Sequence, residues 1–387
     1  MRRKKIVVIL AAMFIAAFLT TFTFHSVPRH DFIEYWAAAH LLVKGQNPYS
    51  LDLMRELQQP LSQQNGEVLM VVSPPQVLTF LLPLGFLHSY VFARLLWLLL
   101  NAGTLVFAIA LLWNLYGGEP SGLWIGLCTS ALFFPVWHCL AVAQIGPFLL
   151  LGLVGFLWFE SKGSPYLAGA ALALTTAKPH LVYLVWLALL LWSIRKREIR
   201  VLAGAAVSIL IALIATLILD PAAISQYLEL VRSDYLWTYT AGAGGLLRSW
   251  FGPDKHFLQF APMLPGLVAL AYYWHRHKSW VWLDQMPLLL TISVLTSAYG
   301  WPFDEVVLLV PVIMLATKAF GHEQTRGQAV LWLIGAFAVT LWCVLRYGDA
   351  AGMVVCATSV LGYLIVDAKR RPIAEEAFLL RIETEAD

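Results

Sequence analysis

Long apolar runs without charged side chains recur along the whole chain, and they limit its fold more than any other feature. A helix needs about 20 apolar residues to cross a bilayer, and lipid leaves only helices or closed barrels able to satisfy their backbone. Charged residues make up 13% of the chain and hydrophobic residues 60%, whereas soluble domains carry about 25% charged residues. We therefore predict an all-α protein, a polytopic transmembrane bundle of about 11–13 helices. The candidate spans are 6–24, 69–87, 90–115, 122–142, 146–160, 165–193, 200–219, 257–275, 286–300, 303–320, 329–346 and 350–366.

The distribution of basic side chains predicts the orientation. Residues 2–5 ("RRKK") precede the apolar run 6–24, and no small-residue cleavage site follows it. We interpret this run as a retained first span with a cytoplasmic N-terminus. Alternate connections, such as 195–200 ("RKREIR"), carry most other lysines and arginines, which predicts a multi-pass plasma-membrane protein with a cytoplasmic C-terminus too. The net charge of +3 is too small to indicate a nucleic-acid partner.

The chain reads as one polytopic membrane domain over residues 1–387, with two long connections, 25–68 and 220–256, predicted outside. The run 165–193 is too long for one straight span, yet each half around its central proline is short. Two arrangements stay open. The run is either one broken helix or an up-and-down pair of short helices, and the pair would require 122–145 to dip into the membrane and return.

No motif of a nucleotide-dependent, zinc-dependent or serine hydrolase occurs in the chain. The cysteines lie inside apolar segments without C-x-x-C spacing or a nearby histidine group, so we expect them to be packing residues. We therefore expect no resident cofactor and no metal site, although a divalent metal stays an open alternative. The four cysteines are Cys128, Cys139, Cys343 and Cys356.

The stretch "DFIEYWAAAHLLVKG" directly follows the first run and has two interpretations. Asp31 as N-cap with Glu34 three residues later is typical of a capping box. Alternatively, Asp31, Glu34 and Tyr35 share one helix face toward a cavity, where poor hydration raises carboxylate basicity, as a general base requires. We expect the opposite face to rest in the membrane interface. That face carries Phe32, Trp36 and His40.

Four further segments supply polar side chains beside or inside apolar runs. Lys178 in "TTAKPH" either faces a cavity or partner or reaches an interface by snorkelling. His180 and Gln144 are weaker candidates, since such residues often serve packing. In "TSAYGWPFDEVVLLVP", Asp304 with Glu305 suits a helix N-terminus as well as a site. The remaining candidates are Tyr299, in the same segment, and Asn47, in the turn "GQNPYS".

Taken together, these segments resemble glycosyltransferase family 87, a group of polytopic mannosyltransferase-like proteins. The resemblance covers about residues 28–320 and leaves 321–387 as C-terminal spans and a cytoplasmic tail. Its first block is fairly specific, and the others are individually weak. The blocks are "YWAAAHLLVKGQNPY" after Asp31, "SPPQVLTFLLPLGFL", "ARLLWLLLNAGTL", "AQIGPFLLL", "LAGAALALTTAKPH" and "TSAYGWPFDEVVLLVP".

The resemblance implies a GT-C fold with its site on the extracytoplasmic face, in and beside a loop–helix region after the first span. It implies a polyprenyl-phosphate sugar, usually mannose, as donor and co-substrate, with a lipid or glycan as acceptor. An acidic residue of the first outer loop acts as base in this class, and Asp31 is the matching position. Some members have a histidine where this chain reads "YGWPFDE", so the role of Asp304 stays open.

The expected chemistry needs few residues. A sugar on polyprenyl phosphate already has a stable leaving group, so the enzyme deprotonates an acceptor hydroxyl, orients it and holds the phosphate. Asp31 is the predicted catalytic residue. The predicted substrate-binding residues are Glu34, Tyr35, Asn47, Gln144, Lys178, His180, Tyr299 and Asp304.

Two other classes of function remain alternatives. A secondary transporter or a flippase of the lipid carrier predicts ionisable residues near the membrane midplane and broken helices in two repeated halves. Lys178 fits that pattern in part, but no second half appears in the sequence. A noncatalytic scaffold bound to membrane lipids predicts no dependence on Asp31.

Overall fold

The structure, a computed structural model, describes residues 31–61, 68–237, 241–321 and 323–385. The predicted first span, 6–24, lies outside these residues. The described residues form seventeen α-helices joined by short 3-10 helices and turns, and they contain no strand. The α-helices are α1 Phe32–Val43, α2 Leu51–Gln58, α3 Gln76–Leu81, α4 Tyr90–Leu115, α5 Leu123–Ala131, α6 Phe134–Ala141, α7 Gly146–Ser161, α8 Pro165–Leu172, α9 Tyr183–Lys196, α10 Ile199–Leu219, α11 Ala223–Arg232, α12 Ala243–Phe251, α13 Met263–Arg276, α14 Trp282–Leu295, α15 Leu309–Gly321, α16 Glu323–Tyr347 and α17 Asp349–Glu385.

The 3-10 helices interrupt or extend the α-helices at positions rich in proline and glycine. Several of them continue an apolar α-helix beyond a break, so that one apolar run becomes two short helices. Their bounds are Leu82–Phe86, Pro120–Gly122, Ala173–Ala177, Pro179–Val182, Asp234–Trp237, His256–Gln259 and Pro302–Leu308.

The all-α prediction is confirmed, and the helices divide into long and short apolar classes. Five helices in the described ranges are long and apolar enough to cross a bilayer, and a sixth candidate is the pair α5 and α6, bent by 71°. The other predicted spans within the described ranges coincide with shorter or broken apolar helices, including α7 and α14. The total number of crossings therefore stays a prediction. The five spans are Tyr90–Leu115, Ile199–Leu219, His256–Arg276, Thr325–Tyr347 and Asp349–Lys369.

The run 165–193 forms an up-and-down pair of helices. Gly204 of α10 packs on Tyr166 at the start of α8. Further along the chain from both contacts, Ala177 and Ala212 line one cleft. Helices α8 and α10 therefore run in the same direction. Residues 197–198 alone join α9 to α10, so α9 runs in the opposite direction. The chain thus reverses at Lys178, and the two-helix alternative is correct.

The preceding segment, 122–145, crosses the bundle, so the dip and return expected with that alternative is wrong. The start of α7 follows Ala143, whose carbonyl accepts a hydrogen bond from Trp97 in the first third of α4. Its end packs Phe156 against Trp282, and the neighbouring Leu283 accepts a bond from Tyr116 at the end of α4. Helix α7 therefore runs in the same direction as α4, and the bent pair α5 and α6 runs back from the end of α4 to the end where α4 begins. As a result, the α6–α7 break and the α8–α9 break face the same end of the bundle, which we call the site end.

Small residues allow α8 and α10 to touch backbone to backbone. A methyl group added at Gly169 would overlap the carbonyl oxygen of Val201, and one added at Gly204 would overlap the carbonyl oxygen of Tyr166. Such close contact is how helices associate in lipid, where no hydrophobic force acts between them. We call the contact of Gly169 and Gly204 with the facing helix the glycine seam.

We predict that Gly169→Ala destabilises the protein by about 1–3 kcal/mol because overpacking against backbone cannot be relieved by a rotamer change. Gly103→Ala in α4 is the matched control, since open space surrounds that position and alanine favours helix. Thermal unfolding in one detergent would compare the two variants. Equal melting temperatures would contradict the close contact at the seam.

Candidate functional site

Asp31 immediately precedes α1, but its side chain does not cap that helix. The residue has helical backbone angles, φ −62° and ψ −18°, and makes no side-chain capping hydrogen bond. Its Oδ2 instead accepts a hydrogen bond of 2.6 Å from Nε2 of Gln144. The capping interpretation of the Asp31 side chain is therefore wrong, because a tertiary donor takes the carboxylate.

Gln144 connects Asp31 to a second side chain of α1. Its Oε1 accepts a hydrogen bond of 2.5 Å from the Tyr35 hydroxyl and a longer one, 3.3 Å, from the amide of Ile145. Tyr35 and Gln144 are buried, whereas Asp31 is partly accessible. A chain of hydrogen bonds thus runs from the core to the accessible carboxylate.

A tight turn between α6 and α7 aims Gln144 at Asp31. Ala143 has φ +55°, a left-handed conformation that costs a residue with Cβ about 1 kcal/mol. Trp97 Nε1 donates to the Ala143 carbonyl at 2.8 Å, and Asn101 Nδ2 donates to the Gln144 carbonyl at 3.0 Å. Neither supporting residue is among those predicted from the sequence, although an asparagine inside an apolar span is itself a signal.

Lys178 and Asp304 form an ion pair between two helix breaks. Their Nζ–Oδ1 distance is 2.6 Å, and the side chains are 15% and 2% exposed. The other Asp304 oxygen accepts a bond from the backbone amide of Trp301 at 3.1 Å. The ring of Phe303 lies 4.9 Å from the ammonium nitrogen. Lys178 therefore does not snorkel, and its buried charge has an internal partner.

The two hydrogen-bonded units belong to one electrostatic cluster. Asp304 pairs directly with Lys178, and Glu34 and Asp31 lie near enough to interact with the same ammonium charge. Glu34 lies on α1, outside the candidate spans. Burial, and then the Asp31 carboxylate, raise the pKa of Glu34 well above its ordinary value, although Lys178 acts in the opposite direction.

The second face of α1 is packed against protein. Phe32 is fully buried between Tyr90 and Trp97, and Trp36 Nε1 donates to the Leu87 carbonyl at 2.9 Å. His40 is buried beside Trp36. The expectation that this face rests in the membrane interface is wrong, because α4 and the chain before it cover the face.

The remaining predicted substrate ligands occupy different places. His180 follows Lys178, and its ring lies 5.8 Å from that of Tyr299, edge to face, near the break before Asp304. Asn47 lies beyond the other end of α1, about 18 Å of helix away from Asp31. Its Oδ1 accepts a bond from the Tyr49 amide at 2.8 Å. The structure does not bring Asn47 into the cluster.

Asp304 and its neighbour Glu305 have different surroundings. Glu305 is fully buried against Cys356 and Ala357 of α17. Within the described part of the chain, neither of its carboxyl oxygens has a hydrogen-bond partner by distance and angle. Of the two adjacent acidic residues noted in the sequence, Asp304 therefore belongs to the cluster and Glu305 to the core.

A cleft of about 280 Å³ opens between α3, α7, α8 and α10. Its walls are mostly apolar and include the rings of Phe80 and Phe148, both of which pack on Trp97. Ile145 and Ala177 also line the cleft, and they are the chain neighbours of Gln144 and Lys178. The cleft therefore adjoins the cluster and is bounded by α10, of which only 22% of the apolar window is buried.

Across the four described ranges, no group of three or more His, Cys, Asp or Glu side chains is arranged to hold a metal ion.

The chain is a glycosyltransferase by family. It belongs to glycosyltransferase family 87, whose model matches residues 72–297, more than half of the chain. The matched range contains Gln144 and Lys178, whereas Asp31 and Asp304 lie outside it. No curated protein and no solved structure matches the chain. Family membership favours the glycosyltransferase over the transporter and the scaffold.

We predict that Lys178→Met lowers the free energy of unfolding by about 3 kcal/mol, because Asp304 is left buried without its cation. The double variant Lys178→Met with Asp304→Asn should recover at least half of that loss. Thermal unfolding in detergent measures both effects.

Lys318→Met is the matched control for this ion pair. Lys318 lies 3.4 Å from Asp367 in a more exposed pair, 38% and 23% accessible, so its loss should change stability by less than about 1 kcal/mol. Equal losses at the two lysines would mean that burial does not strengthen the pair of Lys178 and Asp304.

Proposed function

We propose that this glycosyltransferase transfers a hexose, mannose being the expected sugar, from a polyprenyl-phosphate donor to a lipid or glycan acceptor. The observation that carries the proposal is the Asp31 carboxylate, held by Gln144, which Tyr35 bonds in turn, in the same cluster as Lys178. Family membership supports the transfer of a sugar. The donor, the sugar and the acceptor are our inference.

In the proposed reaction, the acceptor hydroxyl oxygen attacks the anomeric carbon of the donor sugar. The bond between that carbon and the phosphate oxygen breaks, and its electron pair leaves with the polyprenyl phosphate. Asp31 accepts the proton of the attacking hydroxyl, so the charge is balanced without an acid catalyst for the leaving group. The site has only to orient the two substrates and stabilise the phosphate.

Lys178 is the proposed phosphate ligand. Its ammonium is held at the helix break by Asp304, which keeps it in the cluster while no phosphate is bound. A bound phosphate adds negative charge next to Lys178 and shares the ammonium with Asp304. The predicted phosphate role of Lys178 and the role of Asp304 as its anchor are therefore compatible.

The cleft supports a lipid-linked donor. Its apolar walls suit an isoprenoid chain, and its position beside Ile145 and Ala177 lets a chain lie there while its phosphate reaches Lys178. A water-soluble nucleotide sugar would gain little from such walls. Of the donors with a phosphate leaving group, a polyprenyl phosphate fits the surroundings best.

The basic side chains support an extracytoplasmic site in the plasma membrane. The segment 195–200 joins α9 to α10 at the end opposite the Lys178 break, and Arg195 contacts the carbonyl of His277 after α13. Lysine and arginine accumulate on the cytoplasmic side of membrane proteins. The site end would then face outward, with both termini in the cytoplasm as the sequence predicts.

We predict that Asp31→Asn lowers sugar transfer at saturating donor by about 10²-fold or more, because the amide cannot accept the proton. The variant keeps the shape of the side chain and should keep normal membrane abundance and melting temperature. The measurement is transfer from labelled polyprenyl-phosphate-mannose to extracted lipids in proteoliposomes. Asp52→Asn, an exposed position paired with Arg55 on α2, is the matched control. Near-normal transfer by Asp31→Asn would refute the base.

A second prediction tests the donor lipid. Ala212→Trp should fill the cleft and raise KM for a long-chain polyprenyl donor about 10-fold, with a smaller change for a short-chain donor. Ala206→Trp on the same helix is exposed and does not line the cleft, so it should leave both KM values unchanged. The same KM increase for both donor lengths would count against an isoprenoid in the cleft.

A further inference from the structure

The orientation of the Gln144 amide follows from its hydrogen bonds. The Tyr35 hydroxyl and the Ile145 backbone amide both point hydrogens at Oε1. Turning the amide over would face the Ile145 hydrogen with an NH2 group, which cannot accept it. Nε2 must therefore face Asp31, where it donates to Oδ2 at 2.6 Å.

Gln144 is poorly placed to touch a substrate. Its side chain is 4% exposed, and Oε1 and Nε2 both have protein partners. Its backbone is fixed by the left-handed Ala143 on one side and by the bond from Asn101 on the other. A rigid turn thus presents one neutral donor to one carboxylate.

We propose that Gln144 is a positioning residue for Asp31 and not a substrate ligand. This inference rests on the proposed function, in which Asp31 is the base. Tyr35 fixes Oε1 of Gln144, Gln144 directs its N–H at Oδ2 of Asp31, and the carboxylate is thereby held in one orientation toward the acceptor hydroxyl. A carboxamide suits this role because it donates a hydrogen bond and has no acidic proton that Asp31 could take.

The variant Gln144→Glu distinguishes positioning from substrate binding through its pH profile. We expect wild-type kcat to rise as Asp31 loses its proton and then to stay constant, and the neighbouring charged groups Glu34, Lys178 and Asp304 are the same in wild type and variant. In Gln144→Glu, the new carboxyl can donate a hydrogen bond to Asp31 only while it is protonated. The two carboxyl groups must therefore hold one proton between them for the enzyme to be active. We expect a bell-shaped profile, with kcat falling about 10²-fold on the alkaline side and KM for the donor changing less than twofold.

The wild-type profile, or a change in KM instead of kcat, would overturn the proposal. Gln285→Glu is the matched control, because Gln285 is a second buried glutamine that accepts a hydrogen bond from a tyrosine, Tyr273, remote from the cluster. It should keep the wild-type profile. Full-length protein in proteoliposomes with labelled polyprenyl-phosphate-mannose serves for all variants.

Tyr35→Phe provides an independent measurement if Gln144→Glu does not fold. The variant keeps the buried ring and removes the hydroxyl, which fixes Oε1 and also interacts with Glu34, so we expect kcat to fall about fivefold with unchanged KM. Failure of the proposed function is recognisable separately, since Asp31→Asn would then retain transfer. If Asp31→Asn abolishes transfer while Tyr35→Phe and every Gln144 variant that folds keep wild-type kcat, the base stands and the positioning role is wrong.

Discussion

The site depends on one constraint, namely that a backbone interrupted inside an apolar bundle must find its hydrogen-bond partners in the protein. Helices break before Gln144, at Lys178 and before Asp304, and side chains satisfy backbone groups at the first and third breaks. Asn101 donates to the carbonyl at the first break, and Asp304 accepts from the Trp301 amide at the third. The polar side chains of the cluster emerge at these breaks, so the interruptions of the helices and the location of the cluster have one physical origin.

Much of the fold follows from local sequence. The predicted span 90–115 coincides with Tyr90–Leu115, and the prediction 200–219 with Ile199–Leu219, because apolar length and composition are local properties. The break at Lys178 was also visible, since a lysine followed by proline interrupts an apolar run. What the sequence left open there was the direction of the chain after the break, which depends on packing against α10.

The pairing of the site residues did not follow from the sequence. Asp31 and Gln144 are 113 positions apart, and Lys178 and Asp304 are 126 positions apart. Local rules left a helix cap as one of two interpretations of Asp31, because "DFIE" suits a capping box whatever packs against it. In the structure the carboxylate accepts a hydrogen bond from the Gln144 amide, because the turn at Ala143 brings that donor to Asp31. No local sequence pattern reveals this contact. The absence of a histidine from "YGWPFDE" likewise gave no hint that Asp304 pairs with Lys178.

The glycine seam has a consequence for the shape of the cleft. Helices α8 and α10 touch at Gly169 and Gly204, and further along the same two helices the cleft separates them. The pair therefore forms a wedge whose narrow end is fixed by two residues without side chains. The width at the open end is set by the crossing angle at the seam, so residues that never meet a ligand determine how thick a chain the wedge admits.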